Sequence, residues 1–322
     1  MAVLQIALDV PLPRLFDYSY PDASAAMVGK RVVVPFGRGR KLGVVIAVAA
    51  TSDVAADKLR EAEEVLEDMP ALSSEWLALS RFCSDYYQRP LGEVLHAALP
   101  PRLRRPLALN VEPQTYAITA MGHAALTSTK LRSPLQRELL RQLAATPLPA
   151  AALPATQKRQ LLQNGWIEPS SAPLPTIALS TPYCLTPAQQ KAVQAIQESL
   201  GSFAVQLLLG VTGSGKTEVY LHAIAATLGR RQQVLMLVPE INLTPHLEAQ
   251  LRTRLPGVRL VTLTSASADK ERARGWLAAQ SGQADIVLGT RLAVFAPLPD
   301  VGLVIVDEEH DSSFKQQEGV RY

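Results

Sequence analysis

Residues 204–228 read AVQLLLGVTGSGKTEVYLHAIAATL. An apolar run leads into a glycine-punctuated turn, and apolar residues at helical spacing follow. That order predicts a strand, a phosphate-binding loop and a helix. The loop comprises Gly210, Val211, Thr212, Gly213, Ser214, Gly215, Lys216 and Thr217. Its glycines let the backbone wrap phosphates at dihedral angles that other residues resist. The loop N–H groups and the helix N-terminus supply positive potential there. Lys216 is placed to reach the β- and γ-phosphates of ATP, and the Thr217 hydroxyl to bind Mg2+.

A phosphate loop needs carboxylates, and VGLVIVDEEH at 301–310 offers them at the end of an apolar run. A buried strand would hold Asp307 and Glu308 at its C-terminal edge, where α/β sheets bind ligands. Asp307 is expected to hold Mg2+, Glu308 to orient and deprotonate the attacking water, and Glu309 to face outward. His310 is either a surface imidazole or a link between nucleotide and nucleic acid. Gln189, in LTPAQQKAV, precedes the loop by the distance of an adenine-contacting glutamine. The runs QVLMLVP, VRLVTL and ADIVLGT supply further strands, with helical patterns between them. Residues 179–322 therefore read as an α/β lobe with a mainly parallel sheet. In LGTRLAVFAP, Thr290 or Arg291 is placed to carry a DNA phosphate. Phe314, Lys315, Arg321 and Tyr322 form a mix that either stacks bases and holds a backbone or packs on the lobe.

Upstream, the chain changes character twice. Residues 1–105 open with short apolar runs broken by glycines, which predict a small β-sheet or barrel. SSEWLALSRFCSDYYQ and LGEVLHAALPP then read as helices, the first capped by Ser73 or Ser74. Residues 106–178 hold two helical stretches, and KRQLLQNGWIEP suggests a winged-helix domain before a proline-rich connector. Lys+Arg against Asp+Glu is 13 against 13 over 1–105, 6 against 3 over 106–178 and 13 against 13 over 179–322. The surplus in the middle segment suits contact with a DNA backbone. Lys30 to Lys41 carries five basic residues and no acid, a second patch suited to phosphate.

The whole chain has 322 residues and a net charge of +3, and 48% of it is hydrophobic, as in a globular protein. No apolar run reaches the ~18 residues of a membrane span, and the N-terminus lacks the pattern of a secretory signal. Cys83 and Cys184 lack metal spacing and read as reduced thiols. A cytoplasmic, nucleoid-associated location is expected.

GVTGSGKTEVYL, LVPEINLTP, GTRLAVFAPL and VDEEHDSSFKQQEGVRY resemble, in order and spacing, the helicase segments of the PriA family of primosomal replication-restart DNA helicases. PLPRLFDYSYP and GKRVVVPFG resemble that family's 3′-end DNA-binding domain. The resemblance implies a multidomain α/β chain of three modules: a β-rich 3′-end-binding domain over 1–105, a winged helix and linker over 106–178, and a first RecA-like lobe over 179–322. It implies an ATP- and Mg2+-dependent motor moving 3′ to 5′ on DNA, which recognises abandoned forks and starts primosome assembly. Phe16, Asp17 and Gly37 then line the 3′-end pocket, with Arg60 at a basic position beside it. Primosome proteins and single-strand-binding protein are the implied partners. The family's second lobe, zinc-binding cysteine cluster and C-terminal domain would lie beyond residue 322. The chain would then be the family's N-terminal portion, binding DNA and ATP with little hydrolysis of its own. A non-catalytic DNA-structure-binding protein is the alternative. His246 and Thr264 stand where the family has glutamine and histidine.

Overall fold

The structure is a computed structural model that describes residues 2–55, 57–106, 115–127, 133–145, 147–149, 153–170, 179–180, 183–211, 213–239 and 244–314. The chain divides into two units. One joins residues 1–109 to 176–322, and the other is 110–175.

The first unit opens with β1 (Val3–Leu8), β2 (Phe16–Ser19), β3 (Arg31–Phe36), β4 (Gly39–Ala49) and β5 (Glu64–Val65), in the antiparallel order β2-β1-β4-β3-β5. The sheet curls on itself. Residues 60–66 bond to Ser19 on one side and to Arg31 and Val33 on the other, so one segment bridges the β2 edge to β3. Leu4, Ile6, Val32, Val34 and Val45 fill the interior. Two helices follow, α1 (Ser74–Tyr86) and α2 (Leu91–Ala98). Ser73 caps α1 by accepting from the Trp76 N–H, satisfying one of the orphan donors of the first turn.

The second unit contains β6 (Thr115–Ile118), α3 (Ala120–Thr127), α4 (Pro134–Ala145), β7 (Leu148–Pro149), α5 (Ala155–Gln163) and β8 (Ile167–Pro169). Its antiparallel sheet has β6 at the centre, in the order β7-β6-β8. Leu139, Leu140, Leu143 and Leu161 of the helices pack with Tyr116 and Ile167 of the strands. Gly165, at φ +67°, lets the chain reverse after α5.

The first unit resumes with α6 (Pro187–Ser199), α7 (Lys216–Gly229), β9 (Gln233–Leu237), α8 (Thr244–Arg254), β10 (Leu260–Leu263), α9 (Asp269–Gln280), β11 (Ile286–Gly289) and β12 (Val301–Val306). The four strands are parallel, in the order β10-β11-β9-β12. One core runs from this sheet into α1 and α2. Trp76, Leu77, Leu95 and Leu103 meet Leu263, Trp276, Leu277 and Phe295. Both indole N–H groups of Trp76 and Trp276 donate to the Phe295 carbonyl, at 2.8 and 3.2 Å.

Three expectations are corrected here. AVQLLLG forms no strand: Val205, Leu207 and Leu209 are exposed, and Gln206 ties the segment to α6 through the Ala195 carbonyl and Ser199 hydroxyl. A strand is made by its ladder, and apolar composition alone does not supply one. β12 is not buried on both faces but is the edge of its sheet, with Val301, Val304 and Val306 exposed. The Lys30–Lys41 patch is largely neutralised. Arg31 is buried against Asp68 and the Leu103 carbonyl, Lys30 pairs with Glu67, and Arg40 pairs with Glu63.

Candidate nucleotide and DNA sites

α7 begins where the phosphate loop ends, with Gly215 at its N-cap at φ +82°. The conformation favours glycine, and a side chain there would also push aside the Gln189 amide. Gln189 sits at the third position of α6, in a reciprocal capping box with Thr186. Its amide nitrogen also donates to the Ser214 carbonyl at 3.1 Å. The adenine-contact expectation thus falls on a side chain that ties α6 to the phosphate loop.

Lys216 reaches across to β12. Its Nζ donates to the Gly210 carbonyl at 2.9 Å and pairs with Glu308 Oε1 at 3.0 Å, joining residues 92 positions apart. Glu308 adopts φ +47°, a left-handed conformation that is uncommon for a residue with a side chain. Asp307 is fixed by its N–H, which donates to the Leu237 carbonyl at 2.9 Å. Its Oδ1 accepts from the Tyr220 hydroxyl at 3.0 Å. Burial, followed by the Asp307 charge, pushes the Tyr220 phenol well above the ordinary tyrosine range, so it remains a donor. Glu309 is exposed, as expected. The exposed His310 places Nε2 3.7 Å from Glu308 Oε2.

The donor set suits magnesium. Asp307 and Thr217 are hard oxygen donors, and Mg2+ takes one or two protein oxygens with phosphate and water completing its shell. Among the described residues no cluster of three or more His, Cys, Asp or Glu forms a dedicated metal cage. No arginine hydrogen-bonds or ion-pairs with Lys216, Asp307 or Glu308 among the described residues.

Thr290 stands at the N-cap position of a short 3-10 turn, Arg291–Phe295, after β11, without a capping bond from its side chain. Arg291 donates to the Ser313 carbonyl at 3.2 Å. Ser313 in turn donates to the Pro239 carbonyl and to Asp311, so it joins three loops at the sheet's C-terminal edge. Phe314 is partly buried against the lobe core. Thr264 is buried and bonded locally to Ser267. Thr212, Lys315, Arg321 and Tyr322 lie outside the described residues, as do Lys130 and Arg132 of the middle segment.

In the N-terminal barrel, Phe16 meets Phe36 edge to face at 5.4 Å, with Arg14 over the first ring and Lys41 over the second. Gly37 follows at φ +60° in the open β3–β4 turn. Asp17 Oδ2 accepts from the Ser52 hydroxyl at 2.5 Å. Arg60 is exposed, and its carbonyl accepts from the Ser19 N–H. Phe16 and Gly37 are therefore brought to one end of the barrel by the ring contact. Asp17 and Arg60 lie along the β2 edge.

Tyr220, Ser52 and Ser313 escaped sequence reasoning. Only Tyr220 left a signal, its position four residues after Lys216, which places both on one helix face.

Comparison with known proteins decides the family. The family model for the 3′ DNA-binding domain of PriA matches residues 5–100, and the DEAD/DEAH box helicase model matches residues 186–322. The replication restart protein PriA of Haemophilus influenzae is 38% identical over 337 aligned positions, covering 100% of this chain and 46% of that protein. The chain belongs to the PriA family. The PriA of Bacillus subtilis is 29% identical across 100% of the chain and 50% of its own length. That of Synechocystis sp. is 46% identical over 51% of the chain and 18% of its own length. The chain spans about half the length of the first two PriA relatives. Among the described residues no helix is long and apolar enough to cross a membrane, and Cys83 and Cys184 are both free thiols.

Proposed function

We propose that this chain is the ATP- and DNA-binding part of an ATP-dependent 3′-to-5′ DNA helicase that recognises abandoned replication forks and starts primosome assembly. The observation that carries the reading is the Lys216–Glu308 pair, which unites the phosphate loop with the strand-end carboxylates. Glu308 pairs with Lys216 and offsets its charge. An incoming γ-phosphate competes for the same ammonium, releasing Glu308 to orient water against the γ-phosphorus and accept its proton. The bond to the β-phosphate oxygen then breaks and ADP is the leaving group. Asp307 and Thr217 would hold Mg2+, whose chemistry is to neutralise charge on the phosphates.

Phe16, Asp17, Gly37 and Arg60 form the 3′-end site in this reading. Thr290, Arg291 and Phe314 are the lobe's DNA contacts, and His310 links the two chemistries. A winged-helix role for residues 110–175 is supported by three helices packed on a three-stranded antiparallel sheet. Primosome proteins and single-strand-binding protein as partners, zinc in a separate part of the family, and a cytoplasmic, nucleoid-associated location complete the proposal by resemblance.

A second reading, a DNA-structure binder with nucleotide affinity but little turnover, describes the 322 residues taken alone. It is favoured by the Lys216–Glu308 pair itself, because a glutamate held by the lysine is not free to activate water.

The test is titration of a fluorescent ATP analogue with Mg2+ into the chain and into Lys216→Ala. The variant is expected to lose about 2–3 kcal/mol of binding, the scale of a charge-assisted contact. Equal affinities would remove the phosphate-loop assignment. In the same preparation, turnover of roughly ten per second or more, ordinary for a complete enzyme, would remove the second reading.

A further inference from the structure

Tyr220 lies one helical turn beyond Lys216 on α7 and faces the same site. Its half-buried ring packs against the core of Leu221, Ile224 and Met236. Phenylalanine would serve that packing equally well, so the hydroxyl needs its own explanation. It donates to Asp307 Oδ1 at 3.0 Å. The Asp307 backbone is already fixed by the bond to the Leu237 carbonyl. What remains free is the rotation of the carboxylate, and the Tyr220 hydroxyl removes it. The donor is neutral. A lysine or arginine in its place would cancel the charge that attracts a cation, whereas a phenol orients the carboxylate and leaves the charge intact. With Oδ1 occupied, Oδ2 is left for a ligand.

We propose that Tyr220 is the positioning residue of the magnesium site: its hydroxyl holds Asp307 through Oδ1 so that Oδ2 is presented to Mg2+ or to a water that Mg2+ carries. Partners that orient metal-binding carboxylates matter to affinity nearly as much as the carboxylates themselves. The inference rests on reading the site as one for magnesium and ATP.

The experiment uses the 322-residue chain, a fluorescent ATP analogue, and Mg2+ rising from a chelated start, with no hydrolysis required. Tyr220→Phe is expected to bind the analogue as wild type does in EDTA. It should need about tenfold more Mg2+ to reach half of the metal-dependent gain, the lower end of what loss of such a partner costs. Asp307→Asn should shift the midpoint too, and adding Tyr220→Phe to it should shift it no further. An unchanged midpoint in Tyr220→Phe overturns the inference. So does equal weakening with and without Mg2+, which would make the hydroxyl a matter of pocket shape or fold. A further shift in the double variant would also overturn it, because Tyr220 would then act elsewhere than through Asp307. If wild type and Lys216→Ala bind equally, the nucleotide site itself is wrong. If wild type binds with magnesium dependence and Tyr220→Phe matches it, only this inference falls.

Discussion

Trp76 of α1 and Trp276 of α9 both donate to one buried carbonyl, that of Phe295, and their rings meet edge to face at 6.1 Å. This shared acceptor ties the N-terminal helices to the segment that carries Thr290 and Arg291. Its arithmetic is unusual. Trp76→Phe and Trp276→Phe each remove one hydrogen bond to this carbonyl and some ring volume, at a cost of about 1–2 kcal/mol. The two side chains touch and share one acceptor, so their costs are not independent. Residues coupled in this way depart from additivity by about 0.5 kcal/mol or more. The double variant should therefore differ from the sum of the singles by at least about that much. The chain has three tryptophans, and the third, Trp166, lies in the other unit. In the double variant its fluorescence would follow that unit alone, so urea unfolding should be followed by circular dichroism. A double variant equal to the sum of the singles would refute the shared-acceptor reasoning.

The barrel and its surroundings offer further tests. Asp17→Ala should reduce the preference of the chain for a DNA 3′ hydroxyl over a 3′ phosphate by about 1–2 kcal/mol, one good hydrogen bond. Arg60→Ala should weaken both ends alike and flatten the salt dependence. Anisotropy titration at two salt concentrations checks both, and an Asp17→Ala chain that keeps the full preference removes the pocket. Burial raises the Cys83 thiol, and it raises the Tyr18 phenol against the opposing charge of Arg60. The folded chain therefore keeps protons that the unfolded chain gives up above the free values of ~8.5 and ~10, and stability is expected to fall as pH rises through that range. Thermal unfolding across the range should show Cys83→Ala with a shallower slope at its lower end, and an identical slope would contradict the assignment.

Much of the fold was legible because its signals are short in range. The loop Gly210–Thr217 carries its own spacing, the helix after it carries a 3.6-residue period, and the strands ending near Leu237, Leu263, Gly289 and Val306 are apolar but for Gln233 and Thr262, as strands of a parallel sheet mostly are. The segment 204–210 has a similar composition and forms no strand, because composition reports what side chains prefer while a strand exists only through a neighbour's backbone. Arg31 departs from expectation for a related reason. It looked like part of a basic surface, but β3 is covered on both faces, so its side chain is buried and depends on Asp68, 37 residues away. Nothing local announces such a pair.

The candidate site divides along the same line. Lys216, Thr217, Asp307 and Glu308 are legible as candidates because the chemistry proposed for them restricts residue type at fixed spacing. The residues that hold them were not found, because a holding contact asks only for a donor or acceptor in the right place. Tyr220 and Ser313 each satisfy that demand with a single hydroxyl. Tyrosine or serine at those positions would look ordinary in any helix or turn. Ser313 shows how a junction divides between side chain and backbone. Its hydroxyl donates to the Pro239 carbonyl after β9, its N–H donates to the nearby Asp311 carboxylate, and its carbonyl accepts from Arg291. The loops around 239, 291 and 313 thus converge on one residue. His310, proposed as the link between nucleotide and DNA, is exposed, with Nε2 3.7 Å from Glu308 Oε2. The Thr290–Arg291 segment meets the same turn through the Ser313 carbonyl. That acceptor is a backbone group, so it leaves no mark on residue type and no sequence pattern announces it.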